Sequence, residues 1–298
     1  MIMKVLNFGS MNLDYVYQVN HFVRPGETLS ATSQTVKAGG KGLNQSIALA
    51  RAGTEVWHAG CVGQGGEVLQ KLLADNGAHD EYLRSVDTLQ GNAVIQVNPA
   101  GENCILLFGG SNQCITEEQI AGTLSHFSAG DWLVLQNEVN LIGEMVEQAF
   151  RKGMRIALNP SPYNDKLSDV DFHKLSWILV NEIEAEQLSG SREPEKAWET
   201  IHQGYPQLSV LITLGGAGSA AWAVQDGIVE AVRQEAFPVQ AVDTTAAGDT
   251  YTGYFISGLM DNKTLRECMR QAAKAAAIAV TKLGAAESIP SKDEVDAE

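Results

Sequence analysis

Six short apolar runs constrain this chain more than any other feature. They are residues 5–10 (VLNFGS), 55–63 (EVWHAGCVG), 132–136 (WLVLQ), 155–160 (RIALNP), 177–180 (WILV) and 210–214 (VLITL). Such nearly unbroken apolar runs predict strands covered on both faces, the condition of a parallel sheet under helices. Helical periodicity falls between or after them, over 41–53, 67–77, 117–127, 141–153, from Ala246 onward and over 265–283. A chain in which strand and helix alternate is predicted to be α/β.

Two stretches break the alternation. Leu13, Tyr15, Tyr17 and Val19 recur at period two, which predicts a strand with one covered face. A more polar strand is predicted over 28–36. Residues 92–108 form a hairpin pattern, 93–97 and 104–108 flanking Asn98-Pro99-Ala100-Gly101.

The 298 residues suffice for one large α/β domain or two smaller ones. A formal net charge of −15 argues against nucleic acid or anionic membrane as partner, since both require basic surface. Cys61, Cys104, Cys114 and Cys268 are scattered without a CxxC pair, which favours reduced thiols. No apolar run reaches membrane-spanning length. Met1-Ile2-Met3-Lys4 leads into a strand-like run, unlike a signal peptide. A soluble, cytoplasmic protein is expected.

The chemistry concentrates in residues 241–250. Ala241 and Val242 read as a strand end, and Asp243, Thr244 and Thr245 offer polar, cap-competent side chains. The small residues Ala246, Ala247 and Gly248 leave the first amides of the following helix uncovered, and the helix dipole adds partial positive charge. The turn is thereby suited to an anion. Asp249 is either a first-turn acid complementing that dipole or a general base beside the anion hole. Asn12 and Asp14 stand at a strand's carboxyl end, where open α/β sheets gather ligand groups, though turn chemistry explains them equally well. Lys41 and Asn44 share a helical face behind Gly39-Gly40, but the spacing is not that of a P-loop. Asn181 and Glu184 stand three apart at a helix start, and residues 210–218 end a strand in a glycine turn without a GxGxxG.

Val-Asp-Thr-Thr-Ala-Ala-Gly-Asp-Thr, at 242–250, resembles the C-terminal signature of the ribokinase-like (PfkB-type) carbohydrate kinases, and Gly-Gly-Lys-Gly-x-Asn, at 39–44, resembles their N-terminal one. With the Asn-x-Asp, Asn-x-x-Glu and Thr-Leu-Gly-x-x-Gly segments, five motifs stand in family order. The resemblance implies a three-layer α/β/α, Rossmann-like fold in one domain, 1–298. Segments 12–37 and 91–109 would form a small β lid, which is also a homodimer contact in such proteins. It implies an ATP-dependent kinase acting on the primary hydroxyl of a pentose, D-ribose to D-ribose 5-phosphate first of all. Another sugar, a nucleoside, or a sugar-sensing protein with a dead site are the alternatives. It implies Asp249 as catalytic base and Ala246, Ala247 and Gly248 as anion hole. Asn12, Asp14, Gly40, Lys41, Asn44 and Glu138 would bind sugar, together with Asp249. ATP would lie along Asn181, Thr213, Gly215, Gly216, Gly218 and Ala273, the last where many relatives carry His or Asn. Mg²⁺ would be organised by Asn181 and Glu184. K⁺ would be enclosed by Asp243, Thr245, Ala279, Lys282, Gly284 and Ser288. A buried Asp243 with no arginine beside it would otherwise be an unpaired charge, and the Lys282 ammonium, if it folded inward, is the rival to the ion.

Overall fold

The computed structural model describes residues 3–297, so Met1 and Ile2 of the chain's start lie outside the described residues. The first half contains β1 (Val5–Phe8), β2 (Asn12–Gln18), β3 (Ser33–Gly39), α1 (Lys41–Arg51), β4 (Val56–Gln64), α2 (Glu67–Asp75), β5 (His79–Leu89), β6 (Asn92–Val97) and β7 (Asn103–Phe108). Next come α3 (Glu117–Leu124), β8 (Trp132–Gln136), α4 (Ile142–Arg151), β9 (Arg155–Asn159), β10 (Trp177–Asn181), α5 (Glu182–Ser189) and α6 (Pro194–Gly204). The chain closes with β11 (Ser209–Thr213), β12 (Ser219–Gln225), β13 (Ile228–Gln234), α7 (Ala247–Met260), α8 (Leu265–Val280) and α9 (Lys292–Asp296).

Nine strands form one sheet in the order β13-β12-β11-β10-β9-β8-β1-β4-β5. The seven from β11 to β5 pair parallel, and β12 and β13 add an antiparallel edge. All six apolar runs lie within the parallel part. Side chains alternate between two cores. Val5, Trp132 and Val134 pack with Leu43 of α1, Leu69 of α2, Phe255 of α7 and Met269 of α8. Leu6, Phe8, Leu133 and Leu135 pack with Ile120 of α3, Met145 of α4, Ala185 of α5 and Trp198 of α6. This gives the expected three layers. The second sheet has the order β3-β2-β6-β7, with the predicted hairpin as its β6–β7 half.

Two strand expectations need correction. The strand predicted at 28–36 is β3, starting five residues later and ending three later: it pairs with β2 from Gln18↔Ser33 to Asn12↔Gly39, so the seven residues of β2 set its length. Residues 28–32 are not strand. Ala241 and Val242 do not end a strand either. Both are exposed, and the Val242 amide donates to the Val280 carbonyl at 2.7 Å, which ties the segment to the end of α8.

Candidate active site

The N-terminus of α7 is open. Its N-cap, Ala246, adopts φ 59°, and no side chain caps the helix. A positive φ at alanine is uncommon and marks a turn held by its surroundings. The first helical bond runs from the Thr250 amide to the Ala246 carbonyl, 2.8 Å. Ala246, Ala247, Gly248 and Asp249 line a cavity of about 210 Å³, facing Lys41, Asn159, Asn181 and Glu184.

Asp249 is buried, and its carboxylate is held from α1: Asn44 Nδ2 donates to Oδ2 at 3.0 Å and Gln45 Nε2 to Oδ1 at 2.9 Å. The two helices touch because Gly253 of α7 has no side chain; a Cβ there would lie 2.4 Å from the Ala48 Cβ. Gly42 serves α1 likewise, since its Cβ would meet the Ser10 amide nitrogen at 2.4 Å. Burial pushes the Lys41 ammonium down, but the Asp249, Glu138 and Glu184 carboxylates outweigh it and hold its pKa above the ordinary lysine value. The lysine is therefore a fixed positive charge facing the anion turn.

The expected sugar residues gather on the other side of Asp249. Asn12 opens β2, and its Oδ1 accepts from Asn112 Nδ2 at 2.7 Å. Glu138, just beyond β8, is half-buried and accepts from the Lys41 amide at 3.0 Å and from the Ser10 hydroxyl. Asn44 keeps one buried atom, Oδ1, without a partner among the described residues. The Asp14 carboxyl is pushed up to about 7, first by burial and then by the Glu138 charge, against the pull of Lys37. Two carboxyl groups so placed offer oxygens that can accept hydrogen bonds from hydroxyls.

A second cavity, about 640 Å³, is lined by Thr213 at the end of β11, by Gly215, Gly216 and Gly218 beyond it and by Ala273, Ala276, Ala277 and Val280 of α8. Phe237 and Val239, after β13, close it with apolar side chains. Asn181, Thr213, Thr244, Ala247 and Gly248 line both cavities, so a long ligand in the larger one reaches the anion turn at its end. The six residues expected to bind nucleotide all lie here.

Residues 3–292 match the family described as pfkB family carbohydrate kinase. The chain belongs to this family. It is 36% identical over 296 residues to the ribokinase of Haemophilus influenzae, covering 96% of this chain and 95% of that protein. Its structure is similar to that of Cryptococcus neoformans var. grubii ribokinase in complex with ADP, with TM-score 0.85, 34% identity and 98% of each chain covered. It is also similar to that of Arabidopsis thaliana ribokinase complexed with ribose and ATP, with TM-score 0.86, 28% identity and 99% and 98% covered. The protein is thus a carbohydrate kinase, an enzyme that transfers phosphate to a hydroxyl group, and the sensor alternative falls away.

The two expected cation sites fare differently in this pfkB kinase. Asn181 and Glu184 form a capping box on α5: Asn181 Oδ1 accepts from the Ile183 and Glu184 amides, both at 2.9 Å, and Glu184 Oε2 from the Asn181 amide at 3.0 Å. The only side-chain oxygen of Asn181 is thereby committed, whereas Glu184, which lines the smaller cavity, uses only Oε2 in the capping box. Among the described residues no three His, Cys, Asp or Glu side chains cluster as a metal cage. This donor set fits Mg²⁺ that keeps its waters and nucleotide oxygens, touched through Glu184, and does not fit direct ligation by Asn181.

For the monovalent ion, the premise of a buried, unpaired Asp243 is overturned. Asp243 is half-buried, and it accepts from the Thr245 amide at 2.9 Å, the Thr245 hydroxyl at 2.6 Å and the Gly284 amide at 3.1 Å. Burial pushes its pKa up, but these bonds outweigh burial and hold it below the ordinary value. The Lys282 side chain turns away and pairs with Glu294 at 2.6 Å, so it does not replace an ion. The Gly284 bond does join the two loops. The Ala279 carbonyl accepts the Lys282 amide, and the Ser288 hydroxyl donates to the Ala285 carbonyl.

Several site residues had no sequence motif to reveal them. Gln45 stands beside Asn44 in the glycine-lysine segment, and adjacency was the only signal. Ser10, Asn112, Phe237 and Val239 had none.

Proposed function

We propose that this kinase transfers the γ-phosphoryl group of ATP to the primary hydroxyl of D-ribose, giving ADP and D-ribose 5-phosphate. The observation that carries the reading is the buried Asp249 carboxylate, set between hydroxyl-accepting groups and an uncapped helix N-terminus. The Asp249 carboxylate takes the hydroxyl proton as that oxygen bonds to phosphorus and the bond to the ADP oxygen breaks. The amides at Ala246, Ala247 and Gly248 and the Lys41 ammonium stabilise the charge on the transferring group. Mg²⁺, when bound, neutralises the polyphosphate. Asn12, Asp14, Asn44 and Glu138 hold the sugar hydroxyls under a lid formed by the second sheet. Asn181, Thr213, Gly215, Gly216, Gly218 and Ala273 hold ATP.

Ribose is favoured by the Haemophilus influenzae relative and by the Arabidopsis thaliana protein's complex with ribose and ATP. Asp14 and Glu138 disfavour a phosphorylated sugar, whose anion would face both carboxylates. ATP consumption over a panel of aldoses, ketoses, nucleosides and sugar phosphates tests the proposal. Ribose should give the highest kcat/KM, and a higher value on fructose 6-phosphate would overturn the reading.

K⁺ activation stays part of the proposal, supported by the Gly284 amide bond to Asp243 that joins the two loops. Full activity in a bulky organic counter-cation, unchanged on adding K⁺, would refute it. A cytoplasmic homodimer is also proposed. Edge strand β7 exposes Ile105, Leu106, Leu107 and Phe108 in succession, an edge that a second copy would cover. A monomer in light scattering at assay concentration would count against it.

A further inference from the structure

Three adjacent strands each carry one polar side chain into the otherwise apolar layer beneath α1: Asn7 in β1, His58 in β4 and Gln136 in β8. All three are fully buried, as are Gln45 and Ser46 of α1. They form one chain of hydrogen bonds. Asn7 Nδ2 donates to the Gly42 carbonyl and to Ser46 Oγ, both at 2.8 Å. Gln136 Nε2 donates to Asn7 Oδ1 at 2.9 Å and to Gln45 Oε1 at 2.7 Å. Gln45 Nε2 then donates to Asp249 Oδ1. Beyond Ser46 the chain ends at His58 Nδ1, 2.8 Å away, and burial pushes that imidazole down to about 4, so it stays neutral.

The polarity of this chain is fixed at its far end. The Gly42 carbonyl can only accept, so Asn7 must present Nδ2 to it and Oδ1 to Gln136. Gln136 must then present Nε2 to Gln45, and Gln45 is left with a donor, never an acceptor, for Asp249. The arrangement has a cost: Gln136 Oε1 is buried without a partner among the described residues. An apolar core would avoid that cost.

We propose that Gln45 and, through it, Gln136 and Asn7 are positioning residues that lock Asp249 Oδ1 and so aim its carboxylate for proton transfer. This rests on the reading of Asp249 as the base. Gln136 lines neither cavity, so any effect it has on turnover is indirect, through its bond to Gln45 or through Asn7 and α1, and the double-mutant cycle separates the two routes.

The test is a double-mutant cycle in the full chain with ribose and ATP. Gln45→Met, close in volume, should lower kcat about 10–100-fold, the scale of one lost hydrogen bond to a charged group, with both KM values within about twofold. Gln136→Met should lower kcat about 3–10-fold, again with little change in KM. Adding Gln45→Met to Asp249→Asn should cost no more than about twofold further, because its only route to the chemistry is gone. Ser257→Ala, which removes a buried bond from Thr54 to α7 away from the site, should lower Tm and leave kcat unchanged. Losses that multiply in the double mutant, or a Gln45→Met enzyme with more than half of normal turnover, would overturn the proposal. Asp249→Asn retaining such turnover would instead sink the base assignment beneath it. If Gln45→Met does not fold, Gln136→Met carries the same cycle. In the wild-type protein, the Gln45 side-chain amide protons should resist solvent exchange by NMR, and rapid exchange would also overturn the proposal.

Discussion

Three helices point their N-termini at the reaction centre, and the protein treats them differently. The end of α1 is filled: Glu138 accepts the Lys41 amide, and Ser10 Oγ and the Ser10 carbonyl accept the Gly42 and Leu43 amides at 3.3 and 2.8 Å. The end of α5 is closed by its own Asn181–Glu184 box. Only α7 is left without a side-chain cap. Each has the same partial positive charge, so the sequence around the helix, not the helix itself, decides which one is an anion site. At α1 the Glu138 carboxylate, and at α5 the Asn181 side-chain oxygen, already take the place that a phosphoryl oxygen would occupy. At α7 the carboxylate stands at the same third helical position as Glu184 of α5, but it turns away from its own helix end onto Asn44 and Gln45, where the proposed reaction uses it as the base. The sharpest way to break this contrast is Asp249→Asn. It should leave sugar and ATP binding nearly intact by calorimetry and lower kcat about 10²–10⁴-fold. More than half of the normal turnover would mean that α7 is merely an uncapped helix.

Glu138→Gln examines the filled end. Glutamine still offers an oxygen to the Lys41 amide and to Ser10, so α1 should stay capped and Tm nearly constant. What is lost is the negative charge facing the sugar. The ribose KM should rise about tenfold, the scale of a weakened hydrogen bond to a charged group, and discrimination against sugar phosphates should relax. An unchanged ribose KM with a falling Tm would make Glu138 a cap and nothing more.

Much of this was legible along the chain. The runs 132–136 and 155–160 are strands β8 and β9 within a residue, because a short continuous apolar run has few other uses in an α/β fold. The uncapped start of α7 was legible because it is local: Ala246, Ala247, Gly248 and Asp249 are four successive residues. What escaped was assembled across distance. Gln45, Gln136 and Asn7 come from three elements, and in sequence Asn7 interrupts an apolar run, Gln136 ends one and Gln45 sits among polar neighbours. Asp243 was misjudged on both counts, local and distant, the local Thr245 bonds weighing first. Its charge is relieved by Gly284, 41 residues away, as well as by its neighbour Thr245. Ala241 and Val242 looked like a strand because two apolar residues preceded a turn, yet no neighbouring strand is there to pair with them. Local chemistry can be read from local sequence; relief of charge and strand pairing depend on what folds alongside.

The smallest effect expected is a pH dependence that originates on the sugar side. Asp14 is held near 7, against an ordinary value of 3.8, mainly because burial penalises its charge. A raised carboxyl contributes stability that is fully present below 3.8 and is lost as pH rises through about 7, so this group makes the free enzyme less stable at pH 8 than at pH 5. A sugar hydroxyl donating to Asp14 favours the ionised form. Ribose should therefore expel a proton from Asp14 when it binds below about pH 7. Its affinity should weaken as pH falls through that value, by at most about tenfold per unit, and level off above it. Calorimetry in two buffers of different ionisation enthalpy reads the proton directly: release is expected at pH 6 and almost none at pH 8.5. Asp14→Asn should abolish the release. Glu138→Gln, by removing the second push on Asp14, should move the midpoint to lower pH. That shift separates the two carboxylates facing the sugar. If the midpoint stays in place without the Glu138 charge, burial alone sets Asp14, and Glu138 belongs electrostatically to α1 and not to the sugar. Proton uptake in place of release at pH 6 would mean that Asp14 meets the sugar as a donor, reversing its assigned part in recognition.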